Sequence, residues 1–549
     1  MILKNKLYLY LTEFFAGIAV MAVELGASRL LAPYFSSSQI VWTIIIGTIM
    51  IAMALGNIYG GRTADKDPDP DRLYRRLLVA AVWISLIPLI GRFLIIGIAA
   101  VVIFTVNENF LIIAALISCL VIFVYPLFLL GTVTPSLVKY TVDSLDDNGA
   151  IVGRLGACNT IGSIIGTFLP TFVTIPAVGT AVTFLIFSGV LLVLALIYFF
   201  SAKRGKLFCI ISVILFIIAS VLGSGASFAF WDKDISYEGE SIYNYLQVKE
   251  DDREVALSTN VLFGVQSVYV KDYGLTGYYY DYAMAAPFMA EILKKEDPNV
   301  LVLGMGCGTY ATQLGRMFPE IKVEGVEIDQ SITDLSREYF ELPEEVEVTT
   351  YDGRAYLEAI EDKYDVIMVD AYQDITIPFQ MSSKEFFSLV SKHLEDDGVM
   401  VVNLNMRSDA DGNINEWLCD TIAEVFPEVV TVDVAGNTNR ELFAAKSGDL
   451  NEKLEQGLGY ISDGGYFDQI KSVDPDRTAL IEAQVEMLSY LSDNDRFLTY
   501  DGGSLVFTDD KAPVELLGMR VIDSLIADEV AYYKGIFEQY GIEGLLDQI

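Results

Sequence analysis

PNVLVLGMGCGTYATQLGRMFPEIKVEGVEID, residues 298–329, reads as one strand–turn–helix–strand unit. Val300–Leu303 is a short apolar run of the kind that forms a buried strand. It empties into Gly304, Gly306 and Gly308, which tolerate positive φ and close backbone approach. Thr309–Phe318 is expected to be helical. A second strand, Lys322–Val326, then delivers Glu327, 21 residues after Gly306. An acid at that place in an α/β unit accepts both hydroxyls of a ribose. The loop is GxGxG and has no Lys-Ser/Thr of a phosphate loop, which favours an adenosyl ligand without a pyrophosphate, such as S-adenosylmethionine or a derivative. The plain alternative is a Gly-rich turn that only lets helix and strand pack.

Downstream, the alternation continues. Glu347–Thr350 leads to Asp352 and Gly353, followed by a helix at Arg354–Ile360. Asp365–Val369 leads to Asp370, Glu385–Leu394 is a further helix and Gly398–Asn403 a fifth strand. Ligands of an open parallel sheet bind at the carboxyl ends of its strands, and Glu327, Asp352 and Asp370 all fall there. Upstream, residues 231–273 read as a small antiparallel β region. A cluster of Tyr278, Tyr279, Tyr280 and Tyr282 around Asp281 precedes an expected helix at Ala283–Lys295. Tyrosine faces beside an acid suit an alkylammonium, or they are simply a half-buried helix start.

The 549 residues divide sharply by composition. Residues 1–230 carry 14 Lys/Arg against 10 Asp/Glu, whereas residues 231–549 carry 23 against 63, a balance of −40. So acidic a region repels nucleic acid and concentrates small cations, although solubility alone would explain part of it. Five scattered cysteines and a single histidine, His393, fit neither a metal site nor a disulfide framework. His393 is expected on the surface near a helix end.

The first 230 residues hold apolar spans at Leu7–Tyr34, Ile40–Gly60, Leu77–Val106, Phe110–Val138, Gly153–Ile175, Ala177–Phe200 and Leu207–Phe230, each long enough for a bilayer. That makes seven crossings, or eight if the third splits at Pro88, Gly91 and Arg92. The basic loops Gly61–Arg76 and Ser201–Lys206 belong in the cytoplasm. Seven crossings then put the acidic region outside. Eight put it inside, where an adenosyl donor is made, and a cytoplasmic domain on a multi-pass membrane protein is the expectation. Glu24 and Arg29 should pair or reach the interface, and the Gly153–Gly166 run should serve close helix packing.

Several of these motifs carry a resemblance. VLVLGMGCGT, VEID, YDGRAYL, YDVIMVDAY and LVFTDDKAPVELL resemble the catalytic domain of spermidine synthases. ELGASRLLAPYF, GNIYGGRTAD, GTVTPSLV and CNTIGSIIG extend the likeness to the integral-membrane fused transporter/spermidine synthase family, over nearly the full length. The resemblance implies a multi-pass helical domain (1–230), a small β region with a connecting helix (231–297), and a class I S-adenosylmethionine-dependent Rossmann-like domain (298–549). It implies transfer of an aminopropyl group from decarboxylated S-adenosylmethionine to a di- or polyamine, without a metal. Gly304, Gly306, Gly308, Glu327, Asp352, Gly353 and Gln266 would hold the donor. Asp370 and Asp374 would serve catalysis, with Tyr280, Asp281 and Tyr372 at the acceptor. The family's Tyr-His-Glu is here Tyr280-Asp281-Tyr282, and the Pro-x-Gly-Pro of its gatekeeper loop is missing. Expected partners are a cationic polyamine and the lipid bilayer, with no nucleic acid and with a homodimer left open. The alternatives are an S-adenosylmethionine-dependent methyltransferase and a non-catalytic polyamine-binding transporter or sensor. Asp509, Asp510 and Glu515 would either tie down the C-terminal segment or meet substrate.

Overall fold

The computed structural model describes residues 5–522 apart from 107–108, 142–147, 262–263, 373–376, 406, 409 and 463–473, with scattered positions beyond Ile522. Helices α1 (Lys6–Phe35), α2 (Gln39–Lys66) and α3 (Pro70–Thr105) open the chain. A bent series follows: α4 (Phe110–Ile122), α5 (Val124–Gly131) and α6 (Val133–Thr141). Then α7 (Asn148–Leu169) runs through a π-helical turn, Pro170–Thr174, into α8 (Ile175–Ala202), and α9 is Lys206–Gly223. At 1.5 Å per residue, α1 alone is about 45 Å long, more than a bilayer's hydrocarbon core. α1, α2, α3 and α9 are long and apolar enough to cross a membrane, as are the continuous run 149–202 and, taken as one span, the bent series. The run 149–202 breaks at Gly179, whose φ of 79° and ψ of 168° are not helical, so it comprises two helical segments, each long enough for one pass.

Close packing sets this bundle. A methyl group added at Gly162 or Gly166 of α7 would overlap the carbonyl oxygens of Phe14 or Ile18 of α1, and one at Gly17 would overlap that of Asn159. Only glycine lets the two backbones approach this closely. Gly153 and Gly156 of the same run meet nothing and take no part.

Of the two forms open to the third span, one helix or two halves, the structure has the single helix. α3 continues through Pro88, Gly91 and Arg92, and part of the Arg92 side chain finds partners in the bundle. Arg92 Nη1 donates to the Ser227 carbonyl at 2.5 Å, and its guanidinium lies over the Phe93 and Phe230 rings. Arg29 leaves the bundle to donate to the Ile242 carbonyl of the β region. Arg204 and Asp71 approach to 3.7 Å, so the two basic loops share one end of the bundle. The remaining half of the chain sits at the other end. There Val261 N donates to Pro33 O (3.0 Å) and Gln39 N to Glu515 (2.7 Å), while Thr180 N and Oγ1 donate to Glu240 at 2.7 and 2.6 Å. α3 is thus one helix where the eight-crossing alternative needs two.

Beyond the bundle, β1 (Ile235–Glu240), β2 (Tyr245–Glu250), β3 (Glu254–Ser258) and β4 (Ser267–Val270) form an antiparallel meander. Short helices α10 (Tyr279–Ala283) and α11 (Ala285–Met289) follow. The single helix expected at Ala283–Lys295 is broken, because Glu291 takes a left-handed φ of 53° and only a 3-10 turn, Ile292–Lys294, comes after it.

The main sheet contains β5 (Asn299–Leu303), β6 (Lys322–Glu327), β7 (Glu347–Thr350), β8 (Tyr364–Val369), β9 (Leu394–Leu404), β10 (Glu428–Asp433), β11 (Arg440–Ala445) and β12 (Leu498–Thr499). Their order is β12-β10-β11-β9-β8-β5-β6-β7, with β5–β9 parallel and the last three antiparallel. The central strands are buried on both faces, which accounts for their unbroken Val/Ile/Leu/Met runs. α12 (Thr309–Met317) and α13 (Gln330–Tyr339) follow β5 and β6, and α14 (Gly353–Ala359) follows β7. Strand order reverses between β5 and β8, and that switch point opens a crevice at the carboxyl ends of the strands.

Candidate active site

A cavity of about 570 Å³ occupies that crevice and collects Gly304, Gly306, Glu327, Asp352, Gly353, Asp370, Tyr372, Gln266 and Tyr280. Gly304 could not be another residue. Its φ is +81°, and a Cβ would stand 2.5 Å from Ala371 Cα. The turn is pinned by the Gly304 and Met305 N–H groups, which donate to Val326 O at 2.9 and 3.0 Å. Gly308 lies outside the cavity lining and occupies the N-cap of α12.

Glu327 ends β6 and is buried. Gly306 N donates to its Oε2 (2.9 Å) and Asp329 N to its Oε1 (3.0 Å). Each oxygen keeps a further lone pair, so the carboxylate can accept two adjacent hydroxyls. Burial pushes its proton affinity up while these amides pull it down. Asp352 caps α14, Oδ1 accepting from Ala355 N at 2.9 Å, which leaves Oδ2 for a ligand amino group.

Asp370 begins where β8 stops. Tyr279 Oη donates to its Oδ2 at 2.6 Å and Asn403 Nδ2 to its Oδ1 at 2.9 Å. Burial raises its pKa to about 7 in spite of both bonds, with the Glu327 charge adding a little. That is the range in which a carboxylate serves as a base at neutral pH. Tyr280 Oη donates to Gln266 O at 2.9 Å, and the Tyr279 and Tyr280 rings lie 4.1 Å apart. Asn439 Nδ2 donates to Asn403 Oδ1 at 2.7 Å, and Tyr372 Oη donates to Asn403 O.

Not every expected residue reaches the cavity. Asp281 is turned away, its carboxylate taken up by Thr276 N (2.9 Å), Thr276 Oγ1 (2.8 Å) and Gly277 N (2.7 Å). It stabilises the turn before α10. Asp374 lies outside the described residues. His393 is buried, not exposed, with Nδ1 2.8 Å from Asp362 O. Asp509 is held by Arg354 Nη1 and Nη2 at 2.7 Å each and by Ser383 Oγ at 2.5 Å, so it fastens the C-terminal segment to α14. Sequence reasoning named Tyr279 only as one of a tyrosine cluster and did not single out Asn403 or Asn439. One tyrosine among four within five residues, and asparagines 36 positions apart on β9 and just before β11, leave no local pattern to single them out.

Fold and cavity together give an open α/β sheet with an acidic pocket, lined by Glu327, Asp352 and Asp370, at the carboxyl ends of its strands. Comparison with known proteins narrows this. Residues 283–434 match the spermine/spermidine synthase domain. A probable polyamine aminopropyl transferase of Bifidobacterium longum is 51% identical over 355 residues, spanning 64% of this chain and 77% of that protein. A polyamine aminopropyltransferase of Vibrio vulnificus is 28% identical over 199 residues, spanning 35% and 65% respectively. Among solved structures, a probable spermidine synthase from Corynebacterium glutamicum aligns with a TM-score of 0.36 at 20% identity, covering 41% of this chain and 88% of that one. The chain belongs to the polyamine aminopropyltransferase family and is a transferase.

Proposed function

We propose that this protein is a membrane-integrated aminopropyltransferase that moves the aminopropyl group of decarboxylated S-adenosylmethionine onto a di- or polyamine. The observation that carries the reading is the charge of the cavity. Its ionisable lining residues other than tyrosine are Glu327, Asp352 and Asp370, and no Lys, Arg or His lines it among the described residues. An intact S-adenosylmethionine would bring a carboxylate into this acidic space. The decarboxylated donor and an amine acceptor are both purely cationic, which favours them over the substrates of a methyltransferase. Arg316, the nearest loop-side cation in the sequence, is committed elsewhere, donating to Val270 O (3.1 Å) and Asp272 O (3.3 Å).

In this reading Glu327 takes the ribose hydroxyls, Asp352 the adenine amino group, and Gly304, Gly306 and Gly353 give the backbone room to approach. The acceptor nitrogen lies against Asp370, with the Tyr279 and Tyr280 rings beside its alkyl chain. Asp370 removes the proton that keeps the amine unreactive. The freed lone pair attacks the methylene next to the sulfonium, a C–N bond forms as the C–S bond breaks, and methylthioadenosine leaves. Alignment of the two substrates supplies much of the rate, since no covalent enzyme intermediate is formed. Asp374 is a second proposed catalytic acid, assigned on family resemblance. The first 230 residues supply the membrane domain, on the strength of the long apolar helices.

The test is calorimetric titration of the detergent-purified chain with the decarboxylated and the intact donor, followed by a diamine and detection of methylthioadenosine. Tighter binding of the decarboxylated form with release of the thioether is the expected result. Methyl transfer from the intact form would replace this reading with a methyltransferase. Amine binding without turnover would leave a sensor or transporter.

A further inference from the structure

The β1–β2 turn, Ser241–Asn244, is tied to both halves of the chain. On one side Arg29 of α1 donates through Nη2 to the Ile242 carbonyl, and Thr180 of α8 donates twice to Glu240, the last residue of β1. On the other side Ser241 Oγ donates to Asp329 Oδ2 at 2.5 Å, and Asn244 Nδ2 to the same oxygen at 3.0 Å. Within the turn, Ser241 Oγ accepts from Tyr243 N (3.0 Å) and Asn244 N (2.8 Å), so the four residues form one unit. Asp329 caps α13, its Oδ1 accepting from Ser331 N at 3.1 Å, and its own N–H donates to Glu327 Oε1 at 3.0 Å. A continuous series of polar contacts therefore runs from a helix of the bundle to an acid of the active-site cavity.

Packing does little to hold this turn. Tyr243 and Asn244 line the active-site cavity on one side and, on the other, a second cavity of about 280 Å³ walled by Ser28 and Arg29 of α1 and Trp42 of α2. The Ile242 and Tyr243 side chains are 42% and 43% exposed. A segment with space on both faces and few apolar contacts is positioned by its polar ties. We propose that Arg29 is a positioning residue for donor binding: by fixing Ile242 it holds the turn against Asp329, which keeps Glu327 aimed into the cavity. The role rests on the aminopropyltransferase reading, in which Glu327 takes the ribose hydroxyls. The helical bundle is then a working part of the donor site, although no bundle residue lines the cavity among the described residues. Loosening its hold leaves Glu327 in place but less preorganised, and affinity falls by the cost of ordering it again on binding.

The experiment titrates the full-length, detergent-purified protein with decarboxylated S-adenosylmethionine by calorimetry and follows transfer to putrescine. The variants are Arg29→Met, Arg29→Lys, Ser241→Ala and Arg29→Met combined with Ser241→Ala. Thr134→Val, which removes a hydrogen bond to Glu13 inside the bundle, controls for a bundle that is merely loosened. Arg29→Met should weaken the donor about tenfold, a change of about 1.4 kcal/mol, while donor sites per chain and kcat at saturating donor stay within about twofold. Arg29→Lys keeps a donor for Ile242 and should lose less; it replaces Arg29→Met in the combined variant if the methionine form does not fold. Ser241→Ala should weaken the donor similarly, and the combined variant should lose little more than either change alone, because both act through one turn. Thr134→Val should leave donor affinity within about twofold whatever it does to thermal unfolding. Unchanged affinity in the Arg29 variants, losses that add in the combined variant, or an equal loss in Thr134→Val would overturn the role of Arg29 and leave the transferase reading standing. Failure of the wild type to bind the donor or to transfer to putrescine would overturn that reading and the proposal with it.

Discussion

Replacing Asp370 with asparagine separates catalysis from binding. The carboxylate is held by Tyr279 and Asn403 and has its pKa raised to about 7 by burial. Asparagine keeps the size and one acceptor for Tyr279 but cannot take a proton from an ammonium. Loss of a positioned base costs about 10²–10⁴ in rate, or about 3–5 kcal/mol in the barrier. Donor affinity should change by less than about threefold, because no donor contact runs through this side chain. Stability should respond in the opposite direction. The folded carboxyl holds its proton above the pH at which the unfolded one gives it up. Native protein therefore binds more protons between about pH 4 and 7, and wild-type stability falls across that window. About three decades of proton affinity are worth about 4 kcal/mol at about 1.4 kcal/mol per decade. Asp370→Asn escapes that loss, less about 1–3 kcal/mol for the amide now facing the Asn403 amide. The assay is methylthioadenosine release against pH, with calorimetric donor titration and thermal unfolding on the same preparations. A variant that keeps kcat within tenfold and retains the rise near pH 7 would refute the base assignment. So would loss of donor binding in step with activity.

Glu327→Gln should weaken the donor by about 10- to 100-fold, the worth of charge-assisted hydrogen bonds to two hydroxyls, with acceptor KM nearly unchanged; calorimetry reads it directly. Gly304→Ala puts a methyl group 2.5 Å from Ala371 Cα at a φ of +81°, and should lower the unfolding temperature and abolish donor binding at a cost of at least about 1–3 kcal/mol. Gly162→Leu forces α7 away from Phe14 of α1 and should reduce the thermal stability of the detergent-solubilised protein by about 1–3 kcal/mol, with size-exclusion behaviour as the check.

The glycine turn and the acids that line the cavity were legible because they are consecutive. Val300–Leu303, the three glycines and Glu327 lie within one βαβ unit, and the parallel strands show as apolar runs with acids at their ends. The acceptor side was not, because tertiary structure assembles it. Asn403 and Asn439 meet Asp370 only through the β9–β11 pairing. Asp281 looked like a site acid until its own turn consumed both oxygens. The tyrosine that reaches Asp370 is Tyr279, its sequence neighbour Tyr280 having turned to Gln266. Helix breakers misled in both halves. Pro88, Gly91 and Arg92 suggested a split that the packed bundle absorbs, as neighbouring helices do for such residues. Ala283–Lys295 looked continuous but is interrupted at Glu291.

The unbroken α3 also fixes a parity. Were these helices to cross a bilayer, two passes in the run 149–202 and one in the bent series would make the crossings odd, and the start of α1 and the transferase half would lie on opposite faces of it. Reporters fused at the two ends should give opposite readings, one active and the other silent. Eight lysines and arginines lie in the two loops at the far end, whereas the connections 36–38, 106–109 and 170–179 at the transferase end carry none. In a membrane-spanning chain such an asymmetry would favour a cytoplasmic far end. In that orientation the transferase half would meet only donor that had left the compartment in which sulfonium nucleosides are made.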